Sequence, residues 1–208
     1  GARVPEVEEE MAKRVAVAGA TGAVGEVMRQ VLLERRFPLA SIRFFASERS
    51  VGRRLAFGGK EVEVELLRPE AFAGVDIALF SIPQELSRKT VPQVVKEGCI
   101  VIDNSNAFRL DPGTPLVVPE VNRQMVREHK GIIANPNCST IQMVVALKPL
   151  HDAARITRVV VSTYQAVSGA GAWGLYELQE QIKACAAGRP IQKQKFPHPI
   201  VNNLFSHN

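Results

Sequence analysis

Short apolar runs recur along the chain, separated by stretches whose apolar positions repeat every three or four residues. Val15-Ala16-Val17-Ala18, Ile42 to Ala46, Asp76 to Ser81, Cys99 to Ile102 and Gly131 to Ala134 are apolar through their centres and too short for helices. That is the pattern of strands covered on both faces. Val62-Glu63-Val64-Glu65-Leu66 alternates instead, which predicts a half-exposed edge strand. A helix from Val24 to about Arg35 carries Val27, Val31 and Leu32 on one face, and a second runs through Val91, Val94 and Val95 until Gly98 ends it. Buried strands alternating with amphipathic helices predict an α/β fold, a Rossmann-like, doubly wound and mostly parallel sheet.

After about residue 150 the pattern changes. Arg158-Val159-Val160-Val161-Ser162-Thr163 reads as a long strand, then comes a glycine-rich turn and a helix from roughly Trp173 to Ala187. Leu175, Leu178 and Ile182 form its apolar stripe, expected to face a core. This segment is the start of a second, α+β domain, with no strand partner apparent in what remains. The organisation expected is an N-terminal extension over 1–12, with Met11 near the natural start, a nucleotide-binding domain over 13–138, and an incomplete second domain over 139–208.

Composition narrows the function. The chain has 208 residues, 46% hydrophobic and 23% charged, enough apolar material for a real core. Its 26 basic and 21 acidic residues leave a net charge of +5, compatible with an anionic ligand. The basic residues are scattered and not interleaved with aromatics, so nucleic acid is not an expected partner. No apolar run approaches the roughly 20 residues of a membrane span. Cys99, Cys138 and Cys185 form no CxxC pair, which fits free thiols in a reducing, cytoplasmic setting; no metal is expected.

Gly19-Ala20-Thr21-Gly22-Ala23-Val24-Gly25 lies between the first strand and the first helix. Glycines there let the backbone approach a pyrophosphate, whose charge meets the N–H groups of the helix start. The spacing is Gly-x-x-Gly-x-x-Gly, a variant of the dinucleotide fingerprint; the competing reading is a plain strand–helix turn. The second strand ends in Ser47-Glu48-Arg49-Ser50. Ser47, Arg49 and Ser50 suit a 2′-phosphate and favour NADP, while Glu48 is the competing ribose acid.

Asn135-Pro136-Asn137-Cys138-Ser139-Thr140 follows the Gly131 strand and precedes an apolar helix, Ile141 to Leu147, which Pro149 is expected to break. Cys138 thus stands where a helix begins, and the helix dipole favours its thiolate. A thiolate beside a nicotinamide attacks an aldehyde or activated acyl group, and hydride transfer interconverts thiohemiacetal and thioester. The bland alternative is a small buried residue. Cys99 in a strand and Cys185 in a helix read as structural.

These segments, with Asp103-Asn104-Ser105-Asn106-Ala107-Phe108-Arg109, Val118-Pro119-Glu120-Val121-Asn122 and Thr163-Tyr164-Gln165-Ala166-Val167-Ser168-Gly169-Ala170-Gly171, stand in an order that closely resembles the aspartate-semialdehyde dehydrogenase family from Met11 onward. The resemblance implies reversible conversion of L-aspartyl 4-phosphate and NADPH to aspartate semialdehyde, NADP and phosphate, in lysine, threonine, methionine and diaminopimelate biosynthesis. It implies Cys138 as nucleophile and Gln165 as the residue that positions substrate. Arg109 and Asn137 would contact phosphate or the substrate carboxylate. Thr21 to Val24, Arg49, Ser50, Ser168 and Gly169 would line the cofactor, and a homodimer or homotetramer would be the assembly. The competing readings are a surface ion pair of Arg109 with Asp111 and a structural amide at Gln165.

Two departures from the family pattern stand out. Ile82-Pro83-Gln84 replaces small residues near the cofactor. The family's further substrate-binding residues and general-base histidine lie later in a longer chain, and His129, His151, His198 and His207 do not match that motif. A truncated chain that turns over poorly alone is therefore expected. Alternatives are N-acetyl-γ-glutamyl-phosphate reductase, whose cysteine motif differs, phosphorylating glyceraldehyde-3-phosphate dehydrogenase, whose motif also differs, and a nucleotide-binding fragment or interaction module without catalysis.

Overall fold

The computed structural model describes residues 12–206, so Met11 and nearly all of the expected N-terminal extension lie outside the described residues. The described residues form two compact units, divided between Val160 and Val161.

The first unit is built on a seven-stranded sheet. In chain order its elements are β1 (Lys13–Ala18), α1 (Ala23–Glu34), β2 (Leu39–Ala46), β3 (Arg54–Phe57), β4 (Lys60–Leu66), β5 (Ile77–Phe80), α2 (Gln84–Lys96), β6 (Ile100–Asp103), α3 (Pro119–Asn122), β7 (Ile132–Ala134) and α4 (Cys138–Ala154). The strand order is β3-β4-β2-β1-β5-β6-β7. All neighbours pair parallel except β3 with β4, so the sheet is the mostly parallel, doubly wound one the sequence pattern predicts. β4 is not an edge strand, however. The short β3 covers its outer side through an antiparallel hairpin turned at Gly58 and Gly59, both at positive φ.

The apolar runs are continuous because alternate side chains serve two cores. Ala16, Ala18, Phe45, Phe80 and Val101 pack on one face, where α2 adds Val91 and Val94. Val17, Phe44, Ala46 and Val64 pack on the other, where α1 adds Met28 and Leu32. The expected face of α1 is met only in part: Leu32 lies inward as expected, together with Gly25 and Met28, while Val27 and Val31 are exposed. Gly25 dictates this orientation, since a Cβ there would stand 2.2 Å from the carbonyl oxygen of Gly19.

At the amino edge of the sheet, Arg14 and Asp76 tie β1 to β5. The Arg14 amide donates to Asp76 Oδ2 at 2.7 Å, its guanidinium donates to the same carboxylate, and the Asp76 amide returns a bond to the Arg14 carbonyl at 2.8 Å. Beneath α2, Phe72 stacks on Phe45 at 4.4 Å between ring centroids and tilts against Phe80 at 5.4 Å.

Pro149 lies inside α4 and does not end it. Proline removes one backbone donor and crowds the preceding turn, a local cost that the sixteen other residues of the helix absorb. Among its 17 residues none is buried. Residues 155–166 have no regular secondary structure, so the strand expected at Arg158–Thr163 is not formed; Val160 is 80% exposed. A strand needs a neighbour to satisfy its backbone, and none of the described residues supplies one.

In the second unit a 3-10 turn, Val167–Ala170, leads into α5 (Ala172–Ala186). Here the expected stripe is displaced by one residue. Gly174, Glu177 and Gln181 are the buried positions, while Ile182 is exposed. Gln181 Oε1 accepts from the amides of Ile200 and Val201 at 2.7 and 3.1 Å, and its Nε2 donates to Glu177 Oε1 at 2.9 Å and to the Gln192 carbonyl at 3.0 Å. Glu177 Oε2 accepts from the Lys195 amide. Two buried polar side chains thus replace an apolar core as the anchor for residues 192–201.

Two outcomes test this account. Phe72→Ala removes a fully buried ring from a packed cluster and is expected to cost about 3–5 kcal/mol in urea unfolding, with less than about 1 kcal/mol contradicting the packing. Arg14 holds the Asp76 carboxyl down at about 2, mainly through its side-chain hydrogen bonds. A depressed folded-state value stabilises above the unfolded carboxylate value and is lost as pH falls through the folded one. The urea midpoint is expected to fall between pH about 4 and about 2, and Asp76→Asn to flatten that slope.

Candidate active site

Parallel strands deliver their exits to one edge of the sheet, and the segments singled out in the first unit are four such exits. β1 leaves through Gly19, β2 through Ser47, β6 through Asn104 and β7 through Asn135. β1 and β5 form the point where the strand order reverses, a crevice that open α/β sheets offer to ligands.

Gly19 adopts φ +84° and a Cβ on it would lie 2.1 Å from the Ser81 carbonyl oxygen, so the turn is pressed against the exit of β5. The Gly19 and Ala20 amides both donate to the Phe45 carbonyl, at 2.8 and 3.2 Å, which ties the turn to β2 as well. Gly22 caps α1 without a side chain, and the first helical bond runs from the Glu26 amide to the Gly22 carbonyl. The amides of Ala23, Val24 and Gly25 therefore precede the helical ladder at the positive end of the helix.

Thr21 Oγ1 donates to Ser50 Oγ at 3.3 Å, joining this turn to the exit of β2. Ser47 caps the 3-10 turn Glu48–Ser50. A cavity of about 330 Å³ opens there, lined by Ser47, Glu48 and Arg49 together with Leu66, Leu67 and Leu86. The three leucines were not among the expected site residues. The signal for Leu66 and Leu67 was their position at the end of a strand beside β2, and for Leu86 the first turn of α2. Gln84 begins α2, with Pro83 as its N-cap.

On the other side of β1, the exit of β6 is bound up by its own side chains. Asp103 is fully buried and accepts from Ser105 Oγ at 2.6 Å and from the Ser105 amide at 3.2 Å. Arg109 does not pair with Asp111. Its Nε donates to the Asn135 carbonyl at 2.8 Å and its Nη2 to the Asn104 carbonyl at 3.0 Å. Asp111 is taken by Arg88 of α2, whose guanidinium also lies over the Phe108 ring, 4.8 Å from the centroid. Burial lowers the Arg109 pKa from the usual arginine range, and the charges of Asp103 and Cys138 oppose that shift.

β7 leads through Asn135 and the buried Pro136 to Asn137, the N-cap of α4. Asn137 Oδ1 accepts from the Ser139 amide at 3.0 Å and from Ser139 Oγ at 2.7 Å, and the Cys138 thiol lies 3.9 Å from the same oxygen. Cys138 is exposed as the first residue of a 17-residue helix, where partial positive charge favours an anion. Cys99 is buried and its thiol is pushed up to about 12, chiefly by desolvation. Cys185 is exposed near the last turn of α5, the negative end.

Gln165, Ser168 and Gly169 belong to the second unit. Gln165 precedes the 3-10 turn that holds Ser168 and Gly169, and all three are exposed. The described residues hold no helix long and apolar enough to cross a membrane and no cluster of three metal-ligating side chains.

Residues 14–129 match the NAD-binding domain of the semialdehyde dehydrogenases, and residues 147–208 match their dimerisation domain. The chain is 56% identical over 201 residues to the aspartate-semialdehyde dehydrogenase of Aquifex aeolicus, covering 95% of this chain and 59% of that protein. It is also similar to the crystal structure of aspartate semialdehyde dehydrogenase II from Vibrio cholerae complexed with ASA, at TM-score 0.89 and 48% identity. That match covers 92% of this chain and 58% of the other. A Candida albicans aspartate semialdehyde dehydrogenase solved with NADP matches at TM-score 0.58 and 28% identity, over 70% of this chain and 48% of its own. The chain therefore matches between 48% and 59% of the length of these relatives.

Thiol alkylation reads the arrangement directly. At neutral pH, Cys138 is expected to react first, Cys185 more slowly and Cys99 last, scored by mass spectrometry of the labelled peptides. A Cys138 no faster than Cys99 contradicts an accessible sulfur at the helix start.

Proposed function

This chain belongs to the semialdehyde dehydrogenase family, and on that footing we propose that the protein interconverts L-aspartyl 4-phosphate and L-aspartate 4-semialdehyde, with NADP, through a thioester on Cys138. The observation that carries the reading is an exposed thiol on the first residue of α4, at the same sheet edge as the Gly19 turn and near the charge of Arg109. The names of the relatives favour the aspartyl substrate over the N-acetylglutamyl one.

The Cys138 thiolate attacks the acyl carbon. The C–S bond forms, the C–O bond to phosphate breaks, and phosphate leaves with the electron pair. Arg109 and the Asn137 amide hold the phosphate or the substrate carboxylate; a guanidinium is suited to that planar, two-point contact. When bound, NADPH would supply a hydride to the acyl carbon; Cys138 would then be the leaving group, taking back the C–S electron pair as thiolate while the aldehyde is freed. Gln165 orients the substrate carbonyl.

The residues present fit this cofactor. Gly19, Thr21 and Gly22 to Gly25 form a turn and helix start suited to pyrophosphate, and the family resemblance assigns Ser168 and Gly169 to the cofactor as well. The leucine-lined cavity suits an adenine ring, and Ser47 and Arg49 in its lining, with Ser50 beside them in the chain and bonded to Thr21, suit a 2′-phosphate. The cofactor-binding domain extends over 13–138 and the second domain begins at 139. The match of 147–208 to a dimerisation domain supports a homodimer or homotetramer of the whole protein. The reaction serves lysine, threonine, methionine and diaminopimelate biosynthesis, in the cytoplasm.

In the full-length protein, Cys138→Ala is expected to lower kcat by at least about 10³-fold, while NADPH still quenches protein fluorescence. Arg49→Ala is expected to raise KM for NADPH roughly tenfold more than KM for NADH. An active Cys138→Ala enzyme, or a wild type indifferent to the aspartyl phosphate, overturns the proposal.

A further inference from the structure

Arg109 projects from a loop, residues 104–117, that contains no helix or strand. What fixes its guanidinium is a pair of backbone carbonyls, those of Asn104 and Asn135, each the first residue beyond a strand. The spacing of those two oxygens depends on how far the exits of β6 and β7 splay. The sheet ladder has almost run out here, its last rung being the Asn135 amide to the Asp103 carbonyl at 2.9 Å. Just beyond that rung Asn135 Nδ2 donates to Asn104 Oδ1 at 2.6 Å, a direct side-chain bond between the two exits, while the later loop residues Pro115 and Val117 pair with Ala134 at 2.9 Å each.

We propose that Asn104 and Asn135 are positioning residues, whose side-chain bond across the ends of β6 and β7 sets the two carbonyls that hold Arg109 beside Cys138. The anionic group that Arg109 would meet is the phosphate or carboxylate of the substrate, so the biological role rests on the function proposed above; the geometry does not.

Three features make this bond effective. Asn135 is separated from Cys138 only by Pro136, whose φ is fixed by its ring, and Asn137, whose oxygen is committed to the helix cap. A shift of Asn135 therefore moves both the arginine and the sulfur. On the β6 side, Asp103 and Ser105 hold the chain that follows, because Ser105 Oγ bonds Asp103 and accepts from the Ala107 amide at 3.1 Å. Asn104 lies between two fixed residues with its side chain directed across to β7. Finally, among the described residues Arg109 donates to backbone carbonyls and to no carboxylate, since Asp111 is occupied by Arg88. The buried Asp103 carboxylate acts on Arg109 electrostatically without a hydrogen bond, and two of its five N–H groups hold its orientation through the carbonyls.

The test uses the 208-residue chain and needs no turnover. Alkylation of Cys138 is followed by peptide mass spectrometry at low ionic strength, with iodoacetate and with iodoacetamide. A fixed positive charge near the sulfur favours the anionic reagent, and the ratio of the two rates reports it. Arg109→Ala is expected to lower that ratio roughly two- to fivefold. Asn104→Ala, which leaves the backbone carbonyl in place, is expected to lower it by a similar factor, and to have no further effect in the Arg109→Ala background.

Should Asn104→Ala fail to fold, Asn135→Ser removes the donor of the same bond and is expected to behave alike. A merely structural role would lower the urea midpoint or slow both reagents together and leave the ratio unchanged; that result overturns the proposal, as does additivity with Arg109→Ala. A lowered ratio in a full-length enzyme that ignores aspartyl phosphate would keep the latch and reject only the proposed substrate.

Discussion

Six of the seven strands run in one direction, and this parallelism is the constraint from which the candidate site follows. A parallel sheet has a carboxyl edge at which each strand's ladder ends and the chain turns away. Backbone donors and acceptors that would be paired within the sheet must find other partners there. In this protein they are satisfied by exits binding one another: the Gly19 turn to β2, Arg109 to two carbonyls, Asn135 to Asn104. Polar, exactingly placed groups accumulate at that edge because the sheet's own bonding stops there.

Much of this was legible in the residues because burial on both faces leaves a continuous apolar signature. β1, β2, β5, β6 and β7 lie where the apolar runs predict them. β3 was not legible: Arg54-Leu55-Ala56-Phe57 is short and mixed, and its pairing depends on a hairpin with two adjacent glycines. The expected edge strand was correctly read as half-exposed in character, yet one more strand covers it. The Gly19 turn and the junction at Cys138 were readable because each is punctuation between a strand and a helix. Leu66, Leu67 and Leu86 were not, since their role depends on which strands become neighbours.

The helix faces teach a more specific lesson. In α5 the apolar stripe read from periodicity is displaced by one residue from the buried face, in α1 two of its three residues, Val27 and Val31, miss that face, and in both the buried face begins with a glycine, Gly25 or Gly174. A Cβ on either would collide, with the Gly19 carbonyl at 2.2 Å or the Ala170 side chain at 2.8 Å. Close backbone approach at the first turn fixes the rotation of the helix, and side-chain hydrophobicity is accommodated afterwards. In α5 this brings Glu177 and Gln181 inward, which is tolerable because each finds hydrogen-bond partners. A glycine one or two positions ahead of an apolar stripe is the signal that a hydrophobic count overlooks.

The contact of Gly25 with Gly19 also bears on how such a protein can diversify. Main chain touches main chain there, and the opening between strand and helix has dimensions that no choice of neighbouring side chains adjusts. Lineages remain at liberty to alter the rim, where Ser47, Glu48 and Arg49 are exposed, without disturbing that contact. Widening the throat itself would require inserting or deleting residues, a far rarer event than substitution. Sequence should therefore drift readily at the periphery while the central gap persists unchanged.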